Sequence, residues 1–425
     1  MKTVAWKKGS KPQLLLDRLK ERISLTDDGR VRYSGSEWRR VVPGLHRMIE
    51  YKGDYSFHTK VAFRERALSL CAQAGTLDKD SFINAVAKEV EQYERKDLVK
   101  YCITTSVSVA QGTLPKKVVL PGSVAYFHAG GLPKKYSSRD ALNEDWYKLF
   151  PNQSPLPDNY TAVVVAVKAK SPDDAFERGM SDLNYYRGIL GLGYNPAEMF
   201  SFHGGGGPKY LNKVMLGGMH CVHFASGRLS KNLSFWYDAQ IKSVPPMVVQ
   251  GVDAGRKRTP KDYVNIRLQS IKRYPAEDQR KLASAIARYA LAFDEYDYDT
   301  ALYKLWSAME SLLLIAGQKA DLMIRRCAYT FEETEYYSQV LEYIREYRNA
   351  HVHQGSQDGE TERHCYALQE CFRQLIRFYL GFSGFFRDLD EANRFLDNSN
   401  DPLVLERQME LLAQAKDYVQ PSAIS

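Results

Sequence analysis

Apolar positions along this chain change period twice. From Ser81 to Val99 they fall at Phe82, Val86, Val90, Tyr93 and Leu98, close to the 3.6-residue turn of a helix, and Phe63 to Ala72 repeats the pattern before stopping at Gly75. Residues 1–100 therefore predict a mostly helical region. From Tyr101 the pattern turns to strand: Tyr101 to Val109, Val118 to Phe127 with a Pro121-Gly122 interruption, the continuous β-branched run Tyr160 to Val167, Lys213 to Phe224, and Leu233 to Ile241. Between these, Ser171-Pro172-Asp173-Asp174 opens a helix through Met180, Leu183, Tyr186 and Ile189 that Gly191 is expected to end. Pro245-Pro246 and Gly251 to Pro260 predict a linker or a long exposed loop.

Beyond Pro275 the period is helical throughout. Pro275 starts one helix through Leu282, Ile286, Tyr289 and Phe293, and a strongly apolar second runs through Leu302, Leu305, Trp306, Met309 and Leu312 to Gly317. Glu332 to His353, Thr361 to Phe382 and Pro402 to Val419 complete five helices. The fold class this predicts is α+β multidomain: a helical N-terminal region (1–100), a central α+β domain (101–270) and a C-terminal antiparallel helical bundle (275–420).

Charge divides along the same line. Residues 275–425 hold 16 Lys and Arg against 25 Asp and Glu, a net of −9, whereas residues 1–274 hold 43 against 26, a net of +17. A basic front points to a polyanionic partner, nucleic acid first, although a solvated basic surface gives the same count. Its densest runs, Lys116-Lys117, Lys134-Lys135 and Arg256-Lys257-Arg258, lie beside Pro or Gly and so in loops. No apolar run is long enough for a bilayer, and six scattered cysteines without a CxxC pair fit a reduced, cytoplasmic protein with no membrane partner.

One cluster carries chemistry. Arg348-Asn349-Ala350-His351-Val352-His353 closes the third C-terminal helix before Gly355, in a chain with nine histidines. Asn349 and His353 are four apart and Arg348 and His351 three apart, so the groups gather on one side of a helix end. There the dipole favours a protonated imidazole and moves a histidine toward titration near neutrality. The inventory suits RNA cleavage by attack of a ribose 2′-OH on its own phosphate: histidine takes or gives the proton, guanidinium steadies the charged phosphorus, and the Asn amide orients either group. Such chemistry needs no cofactor and no metal. The same spacing also describes a solvated helix end, where histidine is common.

The context resembles the HEPN superfamily, and in particular its Apea-like branch. Trp306, Glu310 and Leu312 resemble that branch's Trp-x-x-x-Glu-x-Leu helix, and Arg348-Asn349, His353 and Gly355 resemble its Arg-Asn-x-x-x-His-x-Gly motif. The resemblance covers residues 275–420. It implies a metal-independent endoribonuclease with Arg348, Asn349 and His353 catalytic and His351 and Glu310 supporting, the glutamate pairing with the arginine. With one motif per chain, it also implies a homodimer whose two half-sites meet through the bundle. HEPN proteins act as toxins or antiviral effectors, so residues 1–270 become the expected sensor of a phage-derived or nucleic-acid trigger. Toxins of the superfamily silenced by nucleotidyl transfer carry Tyr where this chain has Gly355, which argues against that control. The alternative is a non-catalytic RNA-binding or scaffold protein that uses the bundle to dimerise; an enzyme centred on the α+β domain comes last, since that segment shows no catalytic constellation. His220-Cys221-Val222-His223 puts its histidines on opposite faces of a strand and predicts a structural role. His203 to Pro208 lacks the ending of a phosphate-binding loop and reads as a flexible loop.

Overall fold

The computed structural model describes residues 3–27, 31–36, 38–149, 159–195, 211–230, 235–237, 247, 259–315, 317–354 and 360–419. The chain is a mixed α/β protein. Its N-terminal part contains β1 (Val4–Trp6), α1 (Pro12–Lys20), β2 (Ile23–Leu25), β3 (Val31–Tyr33), α2 (Trp38–Met48), β4 (Ile49–Tyr51), α3 (Phe57–Gln73) and α4 (Lys79–Glu94). The expected helices are present, but so are two small antiparallel pairs, β1 with β4 and β2 with β3. A core of its own joins Leu16, Leu45, Phe63, Phe82 and Val90. The 81–99 periodicity overshoots: α4 ends at Glu94, and Val99 already belongs to the next strand.

The central part holds β5 (Val99–Ala110), β6 (Lys117–Val119), β7 (Ser123–His128), α5 (Ser138–Leu149), β8 (Tyr160–Ala169), α6 (Pro172–Tyr194), β9 (Met219–Phe224) and β10 (Phe235–Tyr237). The strands form one six-stranded sheet in the order β10-β9-β5-β8-β7-β6, every neighbour antiparallel. Pro121-Gly122 makes the β6–β7 turn, where Asp182 accepts from the Gly122 N–H and the Ser123 hydroxyl. Of the strand expected over 213–224, only 219–224 is regular. Residues 215–217 still exchange backbone hydrogen bonds with Ser106 and Ser108, but at Lys213 and Val214 the N–H groups go to the Asn195 and Asn212 side chains instead.

Helix α6 lies across one face of the sheet. Ser171 caps it by accepting from the Asp174 N–H, and Pro172 stands in its first turn. Asp174 and Glu177 reach back to the start of α3, accepting from the Ser56 and Phe57 N–H groups and the Thr59 hydroxyl. The helix does not stop at Gly191; it continues to Tyr194. Its glycines allow close approach instead. A Cβ at Gly188 would stand 2.3 Å from the Ile286 carbonyl oxygen, and one at Gly179 would stand 2.5 Å from Ile103.

The C-terminal helices are α7 (Pro260–Ile271), α8 (Ala276–Phe293), α9 (Tyr298–Leu313), α10 (Ala320–Ala328), α11 (Thr334–Gln354), α12 (Thr361–Gly381), α13 (Leu389–Phe395) and α14 (Pro402–Val419). Pro260 opens a helix rather than closing a linker, because Thr259 caps it through the Asp262 N–H; Pro245-Pro246 and Gly251 to Arg258 lie outside the described residues. The short α10 and α13 escape a reading by period. One hydrophobic core runs from the sheet's inner face (Ile103, Val163, Val165) through α6 and α8 to Trp306, Leu341 and Phe372. Helix α14 does not join it: it buries no side chain, and Leu403, Met409, Leu412 and Tyr418 are exposed. Among the described residues no helix is long and apolar enough to cross a membrane, and all six cysteines are free and buried.

The joint between sheet and helices is polar at its centre. Arg187 on α6, 0% exposed, donates to the Val214 carbonyl (2.6 Å), to Asn184, and to both carboxylate oxygens of Asp294 (3.0 and 2.6 Å) beyond the end of α8. Asn212 adds a 2.7 Å bond to Asp294. Removing one partner strands a buried charge, so Asp294→Ala is expected to cost about 3–5 kcal/mol in urea unfolding. Deleting residues 402–425, which removes only the exposed α14 and the tail, is expected to change stability by about 0.5 kcal/mol or less.

Candidate active site

Helix α11 buries Leu341 and Ile344, which sets its phase. Arg348, four residues after Ile344, then falls at the edge of the buried face with its side chain 28% exposed, and Asn349 is exposed. The guanidinium carbon of Arg348 sits 5.3 Å from the centre of the Trp306 ring on α9, and its Nη1 lies 3.8 Å from Glu310 Oε1. Trp306 Nε1 donates to that same oxygen at 2.8 Å. The fully buried indole thus does two things: it orients Glu310 and offers its π face to the cation. At 3.8 Å and 34% exposure of the glutamate the ion pair is a weak contact, and the cation–π contact adds about 0.5–1 kcal/mol. Arg348 is therefore oriented but not used up. Among the described residues its guanidinium makes no hydrogen bond within reach, leaving its N–H groups for an anion.

His351 and His353 belong to α11 by backbone, so Asn349 and His353 share a helix face by spacing; the two histidine side chains and Gly355 lie outside the described residues. The structure thus brings together Arg348 and Glu310 and leaves the other three expected residues on the adjoining turns.

Sequence reasoning missed the parts that hold this helix end. Tyr303 donates to the Arg348 carbonyl at 3.3 Å. Asp299 accepts from the Thr361 hydroxyl (3.0 Å) and from the Tyr347 hydroxyl (3.3 Å), and Tyr347 and Thr361 also bond to each other. His364 on α12 packs edge-on against the rings of Tyr347 and Tyr343, 4.6 and 5.3 Å away. The signal was partly available. Asp299, Tyr303, Trp306 and Glu310 are spaced four, three and four apart, a single stripe down α9, and all four reach for α11 or the start of α12.

Compared with known protein families, curated proteins and solved structures, the chain matches none.

Elsewhere, among the described residues, no group of three His, Cys, Asp or Glu side chains converges as a metal site requires. His220 and His223 point to opposite faces of β9. His220 Nδ1 is 2.7 Å from the Thr105 hydroxyl, and His223 bonds Thr104 (3.2 Å) and the Gly227 carbonyl (2.9 Å). Burial, reinforced by Arg139 and Arg187, pushes the His220 pKa down to about 3. The loop from His203 to Pro208 lies outside the described residues.

The His220 shift has a pH signature. The unfolded chain binds a proton near pH 6.5 that the folded chain refuses until about pH 3, so stability falls as pH drops through that window. The slope from this one residue is at most about 1.4 kcal/mol per pH unit. Urea midpoints measured from pH 7 to pH 4 are expected to decline less steeply for His220→Asn than for the wild type.

Proposed function

We propose that the protein is a metal-independent endoribonuclease whose C-terminal helices form a HEPN-like bundle and work as a homodimer. One observation carries the reading: an arginine, partly exposed at a helix end, is oriented by a buried tryptophan and the glutamate it hydrogen-bonds while its donors stay open, and an amide and two histidines follow it within five residues. The sequence resemblance to Apea-like HEPN proteins points to the same residues.

In this reading RNA lies across the ends of two α11 helices. His353 of one copy takes the proton of a ribose 2′-OH as that oxygen attacks the adjacent phosphorus. The O2′–P bond forms and the P–O5′ bond breaks, with the leaving oxygen taking a proton from the imidazole of the second copy. Arg348 holds the non-bridging oxygens, on which charge accumulates, and Glu310 keeps the guanidinium from collapsing onto the helix. Asn349 orients the phosphate or the imidazole. The products are a 2′,3′-cyclic phosphate and a 5′-hydroxyl. The basic residues 1–270 serve as the targeting or sensing part, for a phage-derived or nucleic-acid trigger, and the biological setting is a toxin or an antiviral defence effector.

Induced expression in cells followed by analysis of bulk RNA tests this. Wild type is expected to fragment RNA, and Arg348→Ala and His353→Ala are each expected to slow cleavage by about 100-fold or more with melting temperature unchanged. Intact RNA in wild-type cells, with an infected-cell lysate also failing to trigger cleavage by the purified protein, overturns the reading. So does cleavage by both variants at the wild-type rate.

A further inference from the structure

The six-stranded sheet has a second face that α6 does not cover. Side chains alternate along a strand, so the register assigns to this face Lys100 and Cys102 of β5, Val164, Ala166 and Lys168 of β8, Tyr126 and His128 of β7, and Lys117 of β6. The middle column is small: Val164 and Ala166 form a recessed floor. Tyr126 stands on one side of it. On the other, the 3-10 turn Lys134–Tyr136 sets the buried Tyr136 ring against His223, 5.0 Å between centres. An opening of about 230 Å³ remains between them, lined also by Lys100, His128 and Lys135.

Its charge is one-sided. Lys100, Lys117, Lys135 and Lys168 are all exposed, and among the described residues no carboxylate lines the opening. Among the described residues none of the four lysines makes an ion pair. Lys135 instead donates to the Ala225 carbonyl (3.1 Å) and sits 4.9 Å over the Tyr136 ring, and Lys117 sits 6.0 Å over the Tyr126 ring. Burial lowers the His128 pKa, which disfavours the charged imidazole in the opening. From β5 to β6 the lysines span about 14 Å, three strand spacings. Four ammonium groups around an uncharged, aromatic-walled recess fit a ligand that repeats negative charge along its length and carries a flat ring between charges. The recess is smaller than the roughly 300 Å³ or more that whole small-molecule ligands fill, so it takes one ring of a longer chain. A duplex keeps its bases stacked and offers no ring to insert.

We propose that this open sheet face binds a single-stranded nucleic acid, one base entering against Tyr126 while neighbouring phosphates meet Lys100, Lys117, Lys135 and Lys168. The inference goes beyond the nuclease reading and stands without it. RNA and DNA strands share the chemistry, and the experiment separates them.

Fluorescence anisotropy of the full chain with a 12-nucleotide oligo(dT), a 2′-O-methyl oligo(U) and a 12-base-pair duplex tests the proposal; neither single strand carries the free 2′-OH that transesterification needs. Both single strands are expected to bind more tightly than the duplex, and tighter binding of the oligo(U) alone assigns the face to RNA. Lys100→Glu/Lys168→Glu is expected to weaken single-strand binding at least tenfold and to flatten the log K against log salt slope by about 1.4, from about 0.7 per phosphate contact on single strands. Tyr126→Ala is expected to weaken it by about 5- to 150-fold with the salt slope unchanged, and Tyr126→Phe to restore it. Three results overturn the proposal: no single-strand binding at 50 mM salt, wild-type affinity in the lysine double variant, or a duplex that binds as tightly as the single strands. Unchanged far-UV circular dichroism of the variants, whose altered lysines are exposed, shows that any loss is not unfolding.

Discussion

The buried contact of Arg187 with Asp294 is the constraint around which this molecule is assembled. A guanidinium with no solvent exposure is tolerated only when each of its charges and donors is answered, and here the answers come from three places: Asn184 on its own helix, the Val214 carbonyl beside the sheet, and Asp294 past the end of α8. Desolvating such a pair offsets much of its attraction, and the contacts it makes tie α6, the 212–214 segment and the end of α8 into one geometry. That geometry puts α6 so close to α8 that the Ile286 carbonyl fills the space where a Gly188 side chain would be. Sheet and C-terminal helices consequently share one core. The α11 helix end belongs to the C-terminal helices and the lysine-bearing face to the sheet.

Elements whose cause is local could be read from the sequence. Ser171-Pro172 announces the start of α6 because the cap and the proline act within one turn, and Tyr160 to Val167 announces β8 because a continuous β-branched run suits a central strand of the sheet. Elements whose cause is distant could not. Gly191 looks like a helix stop, yet Tyr289, almost a hundred residues later, packs against it and α6 continues to Tyr194. Residues 213–217 look like strand, yet Asn195 at the end of α6 and the neighbouring Asn212 accept from the Lys213 and Val214 N–H groups. Helix α14 has the apolar pattern of a bundle member, but no surface of the described chain receives it.

The candidate site divides in the same way. Arg348, Asn349 and His353 are close in sequence, and Glu310 is, with Lys304, one of two charges between Ala301 and Ala316. The pairing of Glu310 with Trp306 follows from their four-residue spacing alone. What the sequence hid is the clamp of Tyr347, Thr361 and Asp299, which exists only where the ends of α9, α11 and α12 meet. That clamp matters physically because catalysis by position requires the helix end, not merely its residues, to be held.

The proposed chemistry leaves a chemical trace that positions of residues alone do not. Purified wild-type protein, incubated with RNA in excess chelator, should yield fragments ending in 2′,3′-cyclic phosphate with 5′-hydroxyl partners, since the ribose itself is the nucleophile. Mass spectrometry of the fragment ends reads this directly. Fragments with 3′-hydroxyl and 5′-phosphate ends, or cleavage abolished by the chelator and restored by a divalent metal, would contradict the account.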